Sequence, residues 1–285
     1  MTVTTSTPTA QRAPQTRTQR ASYLRQVRTL VWRNLTHIKR QPEMLSDVTI
    51  QPIMFVLLFA FVFGGSIQTA SAAGYREWLL PGIMAQTMAF SSFIVALGLN
   101  NDLDKGIIDR FRSLPMSSSS VLVARSMSSL IHSSIGIVVM ALTGLIVGWR
   151  IRDGLGAAVL GFALLLLFGF GMIWIGILVG SAMRSVEAVN GVMFSTMFPI
   201  TFLANTFAPT ENMPGVLRTI AEWNPISALV QALRELWGNL GGAPTPSSAA
   251  WPLQHPVLVS IGWSVLIAAA FAPLALRAYR RRTTD

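Results

Sequence analysis

Six long apolar stretches, nearly free of charged side chains, divide this chain. About 20 apolar residues in a helix cross a hydrocarbon core of about 30 Å, and lipid offers no partners for unpaired backbone amides and carbonyls. The sequence therefore predicts an all-α integral membrane protein with six transmembrane helices. The predicted spans are residues 48–67, 79–99, 127–149, 155–182, 188–207 and 257–275.

Composition supports one membrane-embedded domain. Of 285 residues, 52% are hydrophobic and 12% are charged, whereas about a quarter of the residues are charged in a typical soluble domain. Residues 1–21 are rich in Thr, Ser, Pro, Gln and Arg, so we expect a disordered basic tail. Residues 22–278 are predicted to form a single six-span transmembrane domain, and residues 279–285 a second basic tail.

The positions of the charges predict the orientation of the chain. Of the 22 Lys and Arg residues, 17 lie in the segments on the side of the two termini and five on the other side. Because Lys and Arg accumulate in cytoplasmic segments, both termini are predicted to be cytoplasmic, in a bacterial cell (inner) membrane. The net charge of +10 then reflects insertion topology and attraction to anionic lipid, and we expect no nucleic-acid partner.

Three segments outside the spans have amphipathic helical patterns. Residues 22–41 mix arginines with apolar residues at helical spacing and predict a helix lying on the inner leaflet, ended by Pro42; packing on a soluble partner is the alternative. Residues 213–240 predict two short re-entrant helices at the outer surface. Trp223, Trp237 and Trp251 are expected near the level of the lipid headgroups.

The third amphipathic segment is the most charged internal loop, residues 100–120. A short helix from about Asp102 to Ser113 would place Leu103, Ile107 and Phe111 near one stripe, with Leu114 following. The residues alone leave two interpretations, a solvated link between two spans or a contact surface for a partner.

Little chemistry is available inside the spans. His132 is their only ionisable side chain, whereas gradient-driven carriers generally use buried carboxylates or ion sites near the midplane. A secondary carrier therefore remains an alternative that the sequence disfavours. An intramembrane hydrolase is less favoured still, because Ser66 and His132 are predicted at different depths and the three histidines lack metal-ligand spacing.

The chain also lacks a nucleotide-binding motif. A P-loop needs Gly-Lys followed by Ser or Thr, but the two lysines, Lys39 and Lys105, follow Ile38 and Asp104. We therefore predict that the chain is not an enzyme and binds no cofactor. Energy for transport would have to come from ATP hydrolysis on another polypeptide.

Several sequence strings together resemble the permease subunits of type-2 ABC exporters, in particular the daunorubicin and doxorubicin resistance type of actinobacteria. The most specific string is KGIIDRFRSLP at residues 105–115. The others, in order along the chain, include FGG at 63–65, LPGI at 80–83, WNP at 223–225 and ALR at 232–234.

The resemblance implies the partners of the chain and the role of the charged loop. Permeases of this family pair with a second copy or a paralogue and sit on a cytoplasmic ABC ATPase dimer, which binds ATP and Mg²⁺. The loop between the second and third spans forms a coupling helix that contacts the ATPase. Carried over to this sequence, the contact residues are Asp102, Asp104, Lys105, Asp109, Arg110, Phe111, Arg112 and Leu114.

The expected function is ATP-driven export of a hydrophobic or amphipathic molecule, drug-like or lipid, since a pathway without fixed charge would tolerate such a solute. Polar residues in the apolar spans either line that pathway or form interhelical hydrogen bonds. The candidates for the lining are Gln86, Thr87, Ser91, Asn190 and Asn205. The glycines of the fourth span are instead expected at close helix contacts.

Overall fold

The computed structural model describes residues 23–40, 42–63, 72–105, 118–240 and 250–284, and the regular structure in these ranges is entirely helical. The prediction of an all-α chain is confirmed for this part. In chain order the α-helices are α1 (Tyr23–Arg40), α2 (Pro42–Leu57), α3 (Ala72–Asp104), α4 (Ser118–Val147), α5 (Gly154–Ala182), α6 (Val186–Phe202), α7 (Gly215–Glu222), α8 (Pro225–Leu236), α9 (Trp251–Gln254) and α10 (Pro256–Thr284). A π-helix, Leu58–Phe63, extends α2, and Thr210–Asn212 form one 3₁₀ turn.

Four of these helices, α3, α4, α5 and α10, are long and apolar enough to cross a membrane. They correspond to the second, third, fourth and sixth predicted spans. The helix that covers the first predicted span is apolar over Thr49–Val62 only, and the one that covers the fifth, α6, has 17 residues. The described helices therefore establish a multi-pass membrane architecture with four clear spanning candidates.

Helix α5 is the centre of the bundle, with α3 and α10 packed along it. Its glycines allow this close packing. A Cβ atom at Gly176 would lie 2.1 Å from the Ser92 carbonyl oxygen, and one at Gly180 would lie 2.5 Å from that of Ala96. On another face, a Cβ at Gly171 would lie 3.0 Å from the carbonyl oxygen of Ser264 on α10. The backbones thus touch without intervening side chains, as small residues at membrane helix interfaces permit.

Helices α1 and α2 pack against α4 at the edge of the bundle. Leu30 of α1 is buried, Asn34 donates to the Ser128 hydroxyl of α4 at 3.3 Å, and Trp32 on the opposite face of α1 is exposed. The predicted helix boundary is correct, since α1 ends at Arg40 and Pro42 begins α2. Proline suits the first turn of a helix because its missing N–H has no intrahelical partner there.

The end of α3 differs from the sequence prediction. Asp102 and Asp104 belong to the last turn of the 33-residue helix α3, not to the start of a separate loop helix. Side-chain contacts hold this turn in helical form, since both carboxylates form ion pairs with other helices. The sequence analysis assigned both residues to the loop, since their arginine partners are distant in the sequence and these ion pairs could not be predicted.

Helix α6 ends at Phe202, five residues before the predicted end of the fifth span. It begins where the Ser185 hydroxyl accepts the Ala188 N–H at 3.2 Å, which is a typical N-cap. Beyond Phe202 the chain is non-helical, and the Asn205 and Thr206 carbonyls bind a side chain of α8. Asn205 therefore lies in a loop outside the helix.

Two short helices, α7 and α8, occupy the segment where re-entrant helices were predicted. Asn224 separates them, accepting the Ile226 N–H at 2.9 Å and donating to the Ile200 carbonyl at 2.6 Å. Trp223 and Trp251 are exposed, as a headgroup position requires. Trp237 contradicts that expectation: it is 0% exposed and packs edge-on against Trp149 at 5.3 Å, since the loop after α4 closes over it.

Long-range polar contacts group the helix ends into two sets. At one end, Arg152 binds Glu77 at 2.6 Å. At the other, the ion pairs Arg125–Asp102 and Arg282–Asp104 form. Each contact joins residues that the charge distribution assigns to the same side of the membrane.

Candidate functional site

At one end of the bundle, α3, α4, α5 and α10 are connected by five polar side chains, which we call the polar clamp: Asn100, Asp102, Asp104, Arg125 and Arg282. Asp102 pairs with Arg125 of α4, and Asp104 accepts from Arg282 of α10 at 2.9 Å. The side chains of both pairs are partly exposed, so solvent screens the electrostatic contribution of each pair to stability. The structural role of the clamp is to fix the positions of the four helix ends relative to one another.

Backbone carbonyl oxygens at the carboxyl end of α5 accept hydrogen bonds from the side chains of the clamp. Asn100 donates to the carbonyl oxygens of Gly180 at 3.1 Å and Met183 at 2.8 Å. Arg282 donates to the same two carbonyls. The last carbonyls of a helix lack intrahelical partners and carry partial negative charge, so a cation is favourable there.

The predicted partner-contact residues fall into two groups. Asp102, Asp104 and Lys105 are the last described residues of the segment, and the two carboxylates are engaged within the chain. Asp109, Arg110, Phe111, Arg112 and Leu114 lie outside the described residues.

The five candidate pathway residues do not form one cluster. Gln86 and Ser91 are buried on α3, and Ser91 donates to the Met88 carbonyl of its own helix at 2.7 Å. Asn190 is exposed on α6, whereas Asn205 is buried beside α8. Thr87, half-buried on α3, donates its hydroxyl to the Met140 sulfur at 3.9 Å. Within the described part of the chain, no hydrogen bond joins one of these five side chains to another.

An exposed row of aromatic rings connects α6 with α2. Along α6, Phe194, Phe198 and Phe202 stack with centroid distances of 5.1 Å and 4.2 Å. The row continues from Phe202 to Phe207 at 5.4 Å, and from Phe207 to Phe59 at 4.8 Å. The three rings on α6 are 41–59% exposed in the single chain. This aromatic row is the largest continuous ring contact among the described residues.

Arg234 is the functional candidate that sequence reasoning missed. It lies on α8 with 1% of its surface exposed. Its guanidinium donates to the Trp78 carbonyl at 2.9 Å, to the Asn205 carbonyl at 3.0 Å and to the Thr206 carbonyl at 3.3 Å. It also stacks 3.5 Å from the centre of the Trp78 ring. The fixed fork of an arginine suits such simultaneous donation to several acceptors.

A second network fixes the end of α8. The Trp149 indole donates to the Asn239 side-chain oxygen at 2.7 Å, and the Asn239 amide donates to the Arg150 carbonyl at 2.9 Å. Gly238 has φ +67°, a backbone conformation that glycine adopts without a steric penalty. Arg234 and this network thus anchor α8 to α3, to the loop after α6 and to the loop between α4 and α5.

These features position helices and offer apolar surface, but they do not assemble reactive groups. The described residues contain no cluster of His, Asp or Glu with metal-binding geometry. His132 lies half-buried on α4, and Ser66 lies outside the described residues.

The sequence model of the ABC-2 type transporter family matches residues 25–237. The chain belongs to this family. The match covers α1 from residue 25 onward and all of α2 to α8, including Arg234 and four of the five clamp residues. The resemblance to type-2 ABC exporter permeases, inferred from short strings, is thereby confirmed.

Named relatives of this ABC-2 family chain are similar to it over about three quarters of their length or more. The daunorubicin resistance ABC transporter permease protein DrrB1 of Streptomyces coeruleorubidus is 30% identical over 266 residues, 93% of this chain and 90% of that protein. The probable doxorubicin resistance ABC transporter permease protein DrrC of Mycobacterium tuberculosis is 25% identical over 269 residues, 93% of each. The putative transport permease ycf38 of Cyanophora paradoxa is 24% identical over 76% of each chain.

Family membership settles the broad function. The chain is an ABC transporter permease, a multi-pass membrane protein of the cell membrane. Members of this family are permease subunits and not themselves ATPases, so ATP and Mg²⁺ belong to a partner ATPase.

Proposed function

We propose that this chain is the transmembrane subunit of an ABC exporter that moves a hydrophobic or amphipathic molecule, drug-like or lipid, out of the cytoplasm. The observation that carries the proposal is the family match together with relatives named for daunorubicin and doxorubicin resistance. The apolar interior agrees with such a solute, because spans poor in charge would not stabilise a strongly hydrated ion.

The proposed topology has six spans with both termini in the cytoplasm. In addition to α3, α4, α5 and α10, the first span is α2 with its π-helical extension, which have 16 and 6 residues, and the fifth is α6. Helices α7 and α8 form the outer re-entrant pair. The 17-to-5 distribution of Lys and Arg supports this orientation.

The proposed power source is a dimer of cytoplasmic ABC ATPases that hydrolyses ATP with Mg²⁺. Two permeases, either two copies of this chain or this chain and a paralogue, would sit on that dimer. The segment that follows α3 would act as the coupling helix, with Phe111 and Leu114 as apolar anchors and Asp109, Arg110 and Arg112 pairing at the rim. Closure of the ATPases would then shift the permease halves between two arrangements.

The coupling assignment is tested by two single substitutions, Phe111→Asp and Arg110→Glu. We expect each variant to insert normally but to retain less ATPase on purification and to show lower ATP-dependent transport. A buried anchor typically contributes about 2 kcal/mol or more to an interface, which corresponds to roughly 30-fold in affinity. The measurement is copurification with the cognate ATPase, with Arg277→Glu on the exposed face of α10 as the charge-reversal control. Full ATPase recovery with both variants would contradict the assignment.

We further propose that the aromatic row on α6 and α2 is part of the surface along which the solute moves. Exposed rings favour planar apolar molecules, since stacked or edge-on ring pairs gain about 0.5–1.5 kcal/mol beyond area burial. Of the polar pathway candidates, Asn190 is exposed on α6 one turn before Phe194 and would contribute a hydrogen bond along the way, whereas Gln86, Ser91 and Asn205 are buried in the single chain. This surface carries no fixed charge among its rings.

For the aromatic row, we expect Phe198→Ala to raise the apparent Michaelis constant for doxorubicin export by about three- to tenfold, because one stacking partner is lost. Transport into inside-out vesicles that contain the permease and its ATPase provides the measurement. Leu266→Ala on α10, another exposed apolar side chain, controls for loss of apolar surface in general. Equal effects of the two substitutions would argue against a specific role of the row.

A further inference from the structure

Arg282 differs from the other arginines at the end of α10. Arg277, Arg280 and Arg281 are exposed, whereas the Arg282 side chain is turned inward and is 24% exposed. A cluster of positive charge that only fixes membrane orientation would work equally well with all four side chains in solvent. The inward position of Arg282 therefore requires another explanation.

The contacts of Arg282 join three helices at one point. One guanidinium nitrogen donates to Asp104 of α3 at 2.9 Å, and the other donates to the Gly180 and Met183 carbonyls at the end of α5. Asn100, one turn before Asp104, donates to the same two carbonyls. Helices α3, α5 and α10 are thus bonded pairwise in a closed triangle.

An apolar layer lies directly next to this triangle. Leu99 of α3, Ile177 of α5 and Tyr279 of α10 are each at most 2% exposed and belong to one cluster. Because the layer is closely packed, a shift of one helix end displaces the others instead of being absorbed.

The triangle stands immediately before the segment assigned to ATPase contact. Lys105, directly after α3, is the last residue described there, and the proposed coupling residues 109–114 follow it. We propose that Arg282 is a positioning residue that transmits movement of the coupling helix to α5 and α10 by holding the last turn of α3. This inference rests on the proposed function, because it needs an ATPase that moves that segment.

The test uses the complete complex of permease and ATPase and needs no knowledge of the natural solute. The chain contains no cysteine, so Val216→Cys at the exposed outer helix α7 gives a unique site for an environment-sensitive fluorophore. With Arg282 present, we expect trapping with ATP and vanadate to change the fluorescence. In the Arg282→Gln background we expect this change to shrink by at least about fivefold, the lower limit of typical coupling between sites.

Two further variants separate transmission from folding. Asp104→Asn removes the same ion pair from the α3 side and should give a similar loss, and the double variant should be no worse than Arg282→Gln, since contacting residues are not additive. Arg277→Gln removes a charge from the exposed face of α10 and should behave like the parent protein. ATPase recovery and ATP hydrolysis should remain near the parent values in Arg282→Gln and Arg277→Gln.

Three results would overturn the inference: an unchanged signal in Arg282→Gln, an equal loss in Arg277→Gln, or loss of the ATPase from the Arg282→Gln complex. The second would indicate a role of total charge, and the third a direct contact with the ATPase. The fluorescence change of the protein that retains Arg282 distinguishes failure of this inference from failure of the proposed function. If vanadate trapping gives no signal even with Arg282 intact, ATP-driven coupling itself is absent.

Discussion

Replacing Arg234 with methionine is expected to release the loop after α6 from α3 and α8. Methionine fills much of the same space but donates no hydrogen bond, so the carbonyls of Trp78, Asn205 and Thr206 lose their guanidinium partner. An unsatisfied buried acceptor costs about 1–3 kcal/mol. The two loop carbonyls together therefore weaken closure of the loop by roughly 2–6 kcal/mol.

Global stability should fall by less than this local effect. A buried cation is costly to desolvate, by several kcal/mol even after relaxation, and the substitution removes this cost together with the bonds. The loop is thus expected to open while the spanning helices stay folded. Transport should decrease strongly, since α8 then loses its connection to α3 and to the loop after α6.

Hydrogen exchange of the amides in residues 203–212 provides the measurement for Arg234→Met, in the permease held in lipid. We expect faster exchange there by at least about 30-fold, which corresponds to about 2 kcal/mol. Arg152→Met is the matched control, because Arg152 also lies at this end but is 61% exposed in its pair with Glu77. Unchanged exchange in Arg234→Met would show that the loop is held by other contacts.

Arg234 also shows why the sequence predicted one part of the fold and not another. The membrane spans can be predicted because a long apolar segment in lipid must form a helix to pair its backbone groups. Helix α5, for example, begins and ends within one residue of its prediction. Arg234, in contrast, is adjacent to Glu235 in the sequence and looks like one of a pair of surface charges. Its actual partners are backbone carbonyls, and their positions depend on how three distant segments meet.

The same reasoning applies to the coupling region and to Trp237. Asp102 and Asp104 were predicted to contact a partner protein because they lie in the charged segment after the second span, whereas within the chain they pair with Arg125 and Arg282, 23 and 178 positions away. Trp237 was placed near the headgroups from its residue type, whereas packing with Trp149 and Phe162 buries it. The local sequence pattern predicts the secondary structure of a segment, whereas tertiary contacts decide which of its side chains are buried.

The contacts of the α5 glycines were predicted in part from the sequence. The sequence predicted close helix contact in general, and the structure identifies the neighbour at each position. Gly176 and Gly180, four residues apart, meet the carbonyl oxygens of Ser92 and Ala96 on α3. This spacing places both on one face of α5, so the two helices approach closely along a line.

Replacing Gly176 with alanine is expected to force α3 and α5 apart. The added Cβ would lie 2.1 Å from the Ser92 carbonyl oxygen, and a backbone atom within a helix cannot turn aside as a side chain can. Overpacking of this kind typically costs about 1–3 kcal/mol in stability. Separating the helices at Gly176 would also disturb the close contact between Gly180 and Ala96. We expect a lower melting temperature of the purified permease and a reduced amount of folded protein in the membrane.

Gly262→Ala is the matched control, since Gly262 lies within helix α10 and a Cβ there would meet no atom within 4 Å. Alanine stabilises a helix interior by about 1 kcal/mol relative to glycine, so this variant should melt at the same or a higher temperature. The two substitutions add the same methyl group to helical backbone, so opposite shifts would assign the Gly176 effect to contact with α3. If both variants melted like the parent protein, the close approach of α3 and α5 at Ser92 would not exist in the folded permease.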